Sequence, residues 1–381
     1  MKICIASRAP FIAGAEIAGE RLALGLMESG HEVAFVVGTE GEALKRYQSK
    51  GIRCHYTPTA YTGDGLGLRY RKHRNALRKF IATERPDIVH SNDLPTHQMV
   101  SDAAKPLGIP RVCHHRWIYD GAVTDWFNKF GAEHHIYISR ATHKALAENS
   151  KTLPSAPATI LHDGIPVPPR PTQQSKADAR IRNNVPLEKL VVLFVGQISR
   201  HKGTADTIDA WSKLRMLNPA KLSDCELIFV GEDLKSKGEY RHQMEQEAAA
   251  KQVRARFVGF SEDPKSWFDC ADIVLVPSHR EPLGLVTLEA MSACVAVVGT
   301  NVGGIPEVCL HEETGLLVPP NAPSELAAAI NRLISNPSLR KQFGEAGRIR
   351  CEKSFGREQH TNRVISLYED LCDHKHYKGI P

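Results

Sequence analysis

Short aliphatic and β-branched runs alternate with helical stretches along this chain, stop once at a proline-rich segment, and then resume. The first series opens with KICIAS, a helical stretch from about Glu16 to Ser29 closed by Gly30, and HEVAFVV. That order is the beginning of a βαβ unit and predicts a parallel sheet covered on both faces. Further strands are predicted at Asp87–Ser91, Arg111–His114, His135–Ile138 and Thr159–Leu161, with Ser139 as an N-cap for the helix that follows. The segment from Gly164 to Asn184 is rich in proline and polar residues and predicts an irregular linker, which sets a domain boundary.

Beyond it the alternation restarts with VVLFVG, a helix from about Thr204, ELIFVG, a helix over Glu239–Gln252, ARFVGF, a short helix, DIVLVPS, a helix ending near Met291, and VAVVG. The prediction is an α/β protein of two doubly wound parallel domains. Such domains bind ligands beyond the carboxyl ends of their strands, so the expected active site lies in a cleft between them. From Pro323 onward the pattern is helical, and Val364, Leu367 and Leu371 share one face of the last stretch.

The length of 381 residues suits two domains. No run of eighteen uncharged apolar residues exists, and the N-terminal run is too short for a secretory signal, so a cytoplasmic location is expected. Nine cysteines stand singly without a CxxC pair, which points away from a zinc site or a disulfide framework. The formal charge of +6 favours anionic partners, while no nucleic-acid motif is present.

Strand DIVLVPS leads into HREPLGLVTLEAM, where Pro282 and Gly284 delay the helix to about Leu285. Glu281 then lies in the preceding loop and Glu289 on the first turns. A helix N-terminus offers unpaired N–H groups and a positive dipole end, so the amides of Gly284, Leu285 and Val286 form a natural cradle for a diphosphate. A carboxylate further along can accept both hydroxyls of a ribose. Two glutamates eight apart are common by chance; their company is not. They are followed by VGTNVGGIPE (Val298–Glu307) and HEETGLLVPP (His311–Pro320).

With these motifs the chain resembles the retaining GT-B glycosyltransferases of family four, also called glycosyl transferases group 1. The resemblance extends to APFIAGAE (Ala9–Glu16), like the family's GGAE loop with Ala13 for one glycine and Gly14 retained. It also extends to VGQISRHKG (Val195–Gly203), like VGR-x5-KG with Lys202 retained but Gln197 in the arginine position. An amide can donate a hydrogen bond but supplies no charge, so Arg200 or His201 is the expected compensation. In SACVAVVG, Cys294 and Ala296 replace the family's glycine and proline.

The resemblance implies two Rossmann-like domains: residues 1–165, completed by a C-terminal helix within 356–381, for the acceptor, and 166–355 for the donor. It implies a nucleotide-sugar donor as co-substrate, a UDP- or GDP-sugar, and a glycan or lipid-linked acceptor. It also implies an oxocarbenium-like transition state, with Lys202 and the helix N-terminus as the candidate stabilisers of the leaving diphosphate. Glu289 is expected at the ribose and Glu281 near the transferred sugar or phosphate, while Gly303 and Gly304 are expected to shape a turn. On the acceptor side the candidates are His115, with the choice against His114 left open, and Asp93, which equally suits a helix-capping role.

No Asp-x-Asp triplet is present, so no metal is expected. RYRKHRNALRK (Arg69–Lys79) predicts a basic amphipathic helix with Tyr70, Leu77, Phe80 and Ile81 facing the core. Its charges, among them Arg71, Lys72, Arg74 and Lys79, suit either a solvated face or the anionic inner surface of a membrane. Two other readings stand beside the transferase: a nucleotide-sugar epimerase of the same fold, and a non-catalytic sugar-nucleotide binding protein.

Overall fold

A computed structural model describes residues 1–8, 12–59, 67–119, 129–151 and 155–377, together with 121 and 125. The chain divides into two compact units, Met1–Pro166 with Phe355–Pro381, and Val167–Ser354.

The first unit is built on seven strands, β1 (Lys2–Ser7), β2 (Glu32–Val37), β3 (Arg53–Tyr56), β4 (Ile88–Ser91), β5 (Arg111–His115), β6 (His134–Tyr137) and β7 (Ala158–Ile160). They lie in the order β3-β2-β1-β4-β5-β6-β7, all parallel. Helices Gly14–Glu28 and Arg357–Tyr377 pack together over one face, where Leu22, Leu26, Phe35, Val112, Val364 and Tyr368 join a single apolar core. Val364 is fully buried as expected, and the fully buried Tyr368 completes the stripe with the partly buried Leu367 and Leu371.

The other face carries helices Leu68–Glu84 and Leu94–Ala104. The basic helix buries Tyr70, Leu77 and Ile81 and stacks Phe80 on His55, with ring centroids 3.9 Å apart. Arg69, Arg71, Lys72 and Lys79 face outward, whereas Arg78 donates to the Asp102 carbonyl at 2.8 Å. No helix among the described residues is long and apolar enough to cross a membrane.

The second unit has six parallel strands, β8 (Leu190–Val195), β9 (Cys225–Val230), β10 (Ala255–Gly259), β11 (Ile273–Val276), β12 (Ala296–Thr300) and β13 (Gly315–Val318), in the order β10-β9-β8-β11-β12-β13. Buried on both faces, these strands read as nearly continuous aliphatic runs such as LVVLFV and IVLV. Helices Thr204–Leu217 and Pro323–Ser335 pack together on this core through Ile208, Trp211, Ile330 and Leu333.

The expected irregular linker is corrected in part. Residues Gln173–Arg182 form a helix, with a capping box in which the Thr172 hydroxyl accepts from the Ser175 amide at 3.1 Å and the Ser175 hydroxyl accepts from the Thr172 amide at 2.8 Å. The prolines end at Pro171, and the QQSKADAR that follows contains no helix breaker. Arg180 then ties the helix to the body by bonds to Asp272 at 2.7 Å and the Cys270 carbonyl at 3.2 Å.

Candidate active site

In each sheet the chain leaves a central strand, builds outward in one direction, and returns to build in the other. The two strands at that reversal are β8 and β11 in the second unit and β1 and β4 in the first. Loops leaving adjacent strands at such a reversal diverge and open a crevice at their carboxyl ends. Most of the expected site residues stand on these four loops.

In the second unit, β8 leads through Gly196–Ser199 to a single 3₁₀ turn, Arg200–Lys202, and then the helix Thr204–Leu217. β11 leads through Pro277–Gly284 to the helix Leu285–Ser292. The two loops are fastened to each other. The Lys202 ammonium is 2.5 Å from Glu281 Oε2, an oxygen that also accepts from the Ser278 hydroxyl at 3.2 Å. The His279 amide donates to the His201 carbonyl at 2.8 Å, and the His279 Nε2–H donates to Asp206 Oδ2 at 2.6 Å. Gly203 has φ of +75°, and a Cβ there would lie 2.0 Å from the Pro277 carbonyl oxygen. Only glycine permits that approach.

Gly303 and Gly304 support the same loop from below. The Gly304 amide donates to the Glu281 carbonyl at 3.0 Å, and a Cβ on Gly303 would fall 1.8 Å from that oxygen. The GGIPE motif thus holds the Glu281 backbone in place. Gly284, at φ of +100°, is the N-cap of the helix and brings no capping side chain. The first-turn amides at Leu285 and Val286 therefore have no side-chain acceptor from the cap residue, and an anion there would meet them with the helix dipole behind. Glu289 lies one turn further along, half-buried.

Gln197 is half-buried on the β8 loop, with its carbonyl accepting from the Ser199 hydroxyl at 3.4 Å. Arg200 is exposed, its guanidinium 5.7 Å from the Tyr240 ring centre, and His201 is depressed in pKa by burial and by Lys202. Cys294, where the family has glycine, adopts φ of 58° in the left-handed region.

In the first unit, Gly14 opens the helix after β1, and Asp93 follows β4. Asp93 caps the next helix, accepting from the Thr96 amide at 2.7 Å and the Thr96 hydroxyl at 2.8 Å, while burial raises its pKa. Asn92 joins the two loops by donating to the Ala15 carbonyl at 2.9 Å. Glu16 is a group sequence reasoning passed over as a functional residue. It is buried, accepts from the Ala13 amide at 3.2 Å, and is pushed up to about 7 by burial.

His114 and His115 point to opposite faces of β5, and neither reaches solvent. His114 meets His90 at 3.3 Å and Arg116 at 3.1 Å. His115 Nε2 is 2.8 Å from His135 Nδ1, and its ring stacks on Tyr137 with centroids 4.3 Å apart. Burial holds both imidazoles well below the usual histidine pKa. Beside them Arg116 is ion-paired with Asp163 and donates to Asn92 at 2.9 Å. Sequence gives no signal for that pair, whose members are far apart along the chain.

Cys113, His115 and His135 share one face of β5 and β6, and their possible ligand atoms lie within 4.8 Å of one another. These three are potential metal ligands by their spacing. His115 Nε2 and His135 Nδ1 are already hydrogen-bonded to each other, while His135 Nε2 is buried without a partner.

Residues 175–350 match the family model for glycosyl transferases group 1, and residues 12–167 match that for glycosyltransferase family 4. An alpha-maltose-1-phosphate synthase of Mycolicibacterium smegmatis is 30% identical over 54% of this chain and 53% of its own length. The chain thus spans about half the length of that curated relative. An uncharacterized glycosyltransferase of Methanocaldococcus jannaschii is 23% identical over 94% of both chains.

Among solved structures, Anabaena HepE in complex with UDP and glucose superposes with a TM-score of 0.84 at 19% identity, covering 97% of this chain and 99% of that one. Sucrose-phosphate synthase from Thermosynechococcus elongatus gives 0.82 at 22% identity, covering 97% and 98%. The two parallel sheets are those of the GT-B fold. The two family matches together leave out only the chain ends and a short join, so that a glycosyltransferase family 4 region is followed along the chain by a glycosyl transferases group 1 region.

Proposed function

We propose that this protein is a retaining glycosyltransferase that moves a sugar from a UDP- or GDP-sugar to a glycan or lipid-linked acceptor. The observation that carries the reading is the fastening of Lys202 to Glu281 beside the uncapped N-terminus at Gly284. A cation and a set of first-turn amides there can share one diphosphate, and the charge that develops on the leaving nucleotide is stabilised by groups already in place. The UDP in the HepE complex supports UDP as the first nucleotide to test.

Lys202, Arg200, Gln197 and the amides of Gly284, Leu285 and Val286 hold the diphosphate in this reading. Glu289 holds the ribose, and Glu281 faces the transferred sugar once Lys202 turns to phosphate. Gly14 is a donor-side glycine at which backbone can approach phosphate and sugar, and Asp93 and His115 serve the acceptor side, with Asp93 holding its loop through the Thr96 cap. His115 acts at most through its neighbours, because its ring is enclosed by His135 and Tyr137. No step calls for a metal ion.

Incubation with UDP-glucose or GDP-mannose and a panel of glycan acceptors, read by the anomeric proton signals of the product, tests the reaction. A new glycoside with the donor's anomeric configuration is expected. An inverted product contradicts retention, and a changed sugar nucleotide formed without acceptor favours the epimerase.

The outward charges of the basic helix suit an anionic membrane as the place of work, at the cytoplasmic face. Binding to phosphatidylglycerol vesicles should fall with salt and with neutralisation of Arg71, Lys72, Arg74 and Lys79. Binding indifferent to both removes the membrane from the account.

A further inference from the structure

The helix Leu285–Ser292 carries one polar side chain that the family motif does not assign and the fold does not use. Thr287 is fully buried, and its hydroxyl has no hydrogen-bond partner. A buried hydroxyl without a partner is destabilising and uncommon in native proteins, so its retention calls for an explanation. Its place supplies one. Thr287 is the third residue of the helix, and helical side chains lean toward the N-terminus, so its hydroxyl lies back over the first turn. A Cβ built on Gly284 would lie 3.2 Å from Thr287 Oγ1, 3.3 Å from Ile305 Cγ1 and 3.7 Å from Glu281 Cγ. The hydroxyl, the N-cap glycine and the partner of Lys202 therefore surround one point.

We propose that Thr287 is a donor-binding residue whose hydroxyl donates to the diphosphate of the nucleotide sugar. This inference rests on the donor reading above. Glu281 is held by Lys202 and Ser278, and the Thr287 hydroxyl has no solvent-exposed area. The diphosphate takes Lys202 from Glu281, the carboxylate moves aside, and the hydroxyl turns to a phosphate oxygen. The site thus stores an unmet donor until the ligand arrives. A nucleoside monophosphate, with one phosphate fewer to span the first turn and Lys202, gains less from it.

Calorimetric titration of UDP and GDP into wild type, Thr287→Val and Thr287→Ser, with the melting temperature of each ligand-free protein, tests this. Valine keeps the shape of threonine and removes the hydroxyl; serine keeps the hydroxyl. Thr287→Val should melt at or above wild type, because it removes an unpaired buried polar group, and should bind the nucleoside diphosphate about tenfold or more weakly. Thr287→Ser should bind within about threefold of wild type. A residue that only supports the fold would move stability and affinity in the same direction.

Unchanged affinity in Thr287→Val, with wild type binding normally, overturns the role of Thr287 and leaves the donor reading standing. Weakened binding in Thr287→Ser equal to that in Thr287→Val also overturns it. A wild type that binds neither UDP nor GDP overturns the donor reading and this inference together.

Discussion

The loops after β8 and β11 in the second unit and the strands β4 to β6 in the first are both rich in ionisable groups, yet they are built on opposite principles. In the first, Lys202 and Glu281 are a charged pair with a quarter and a tenth of their side-chain surface exposed, 2.5 Å apart and able to part. In the second, His90, His114, His115 and His135 are fully or nearly fully buried, and burial holds them neutral. The ion pair beside them, Arg116 with Asp163, has 2% and 4% exposure. Charge that remains reachable can be redirected to a ligand. Charge sealed in the core can only position or destabilise.

The largest effect that would break this comparison is expected in the sealed region. Asp163→Ala leaves Arg116 buried without its counter-ion and should lower stability by about 3–5 kcal/mol in urea unfolding. A loss below 1 kcal/mol would show the pair to be solvated like a surface one.

Lys202→Ala should act in the other sense. Transfer activity, as kcat/KM for the donor, should fall by roughly 10²–10³ with little change in melting temperature. A matching fall in stability with intact turnover would make Lys202 a structural residue.

Acid provides the next contrast. Burial holds His90 and His135 at about 3 and His97 and His360 at about 4. In the unfolded chain a histidine titrates near 6.5, so between about 6.5 and the folded values the unfolded chain takes up protons that the fold refuses. The stability is therefore complete above about pH 6.5 and declines below it, by about 1.4 kcal/mol per pH unit for each such histidine. The urea midpoint should drop steeply from pH 6.5 to 5, and His360→Gln should flatten the drop. A flat midpoint would mean that these rings accept protons in the fold.

The smallest effect sharpens the comparison. Glu281→Gln frees Lys202 from its partner, and UDP should bind about two- to fivefold more tightly even as sugar transfer declines. Weaker UDP binding would place the carboxylate itself at the nucleotide.

The architecture was legible in sequence because most of the buried parallel strands are aliphatic runs, and because several of them end at a glycine or proline, as at Gly38, Gly196, Gly231 and Pro277. The donor loops were legible as far as their motifs went: Glu281, Lys202 and the helix start at Leu285 could all be named. Their contact could not, since 79 residues separate Lys202 from Glu281 and only the adjacency of β8 and β11 joins them.

The helix Gln173–Arg182 was hidden by averaging four prolines with the helix-forming residues that follow. The histidines were least legible. Alternation along β5 puts His115 on the same face as Cys113, but nothing local says that both faces are covered. Tyr368, which meets His90 at 2.7 Å, arrives from 278 residues away.

The central claim is that the second unit's crevice holds a nucleoside diphosphate with Glu289 on its ribose. Thermal unfolding of wild type and Glu289→Ala, with UDP or GDP at about a hundred times the wild-type Kd, tests it most directly. A nucleotide that binds only the folded state stabilises wild type by about 2.7 kcal/mol under these conditions. The account predicts that this stabilisation is largely lost in Glu289→Ala while inorganic pyrophosphate protects both proteins equally. Equal protection of both by the nucleotide would contradict it.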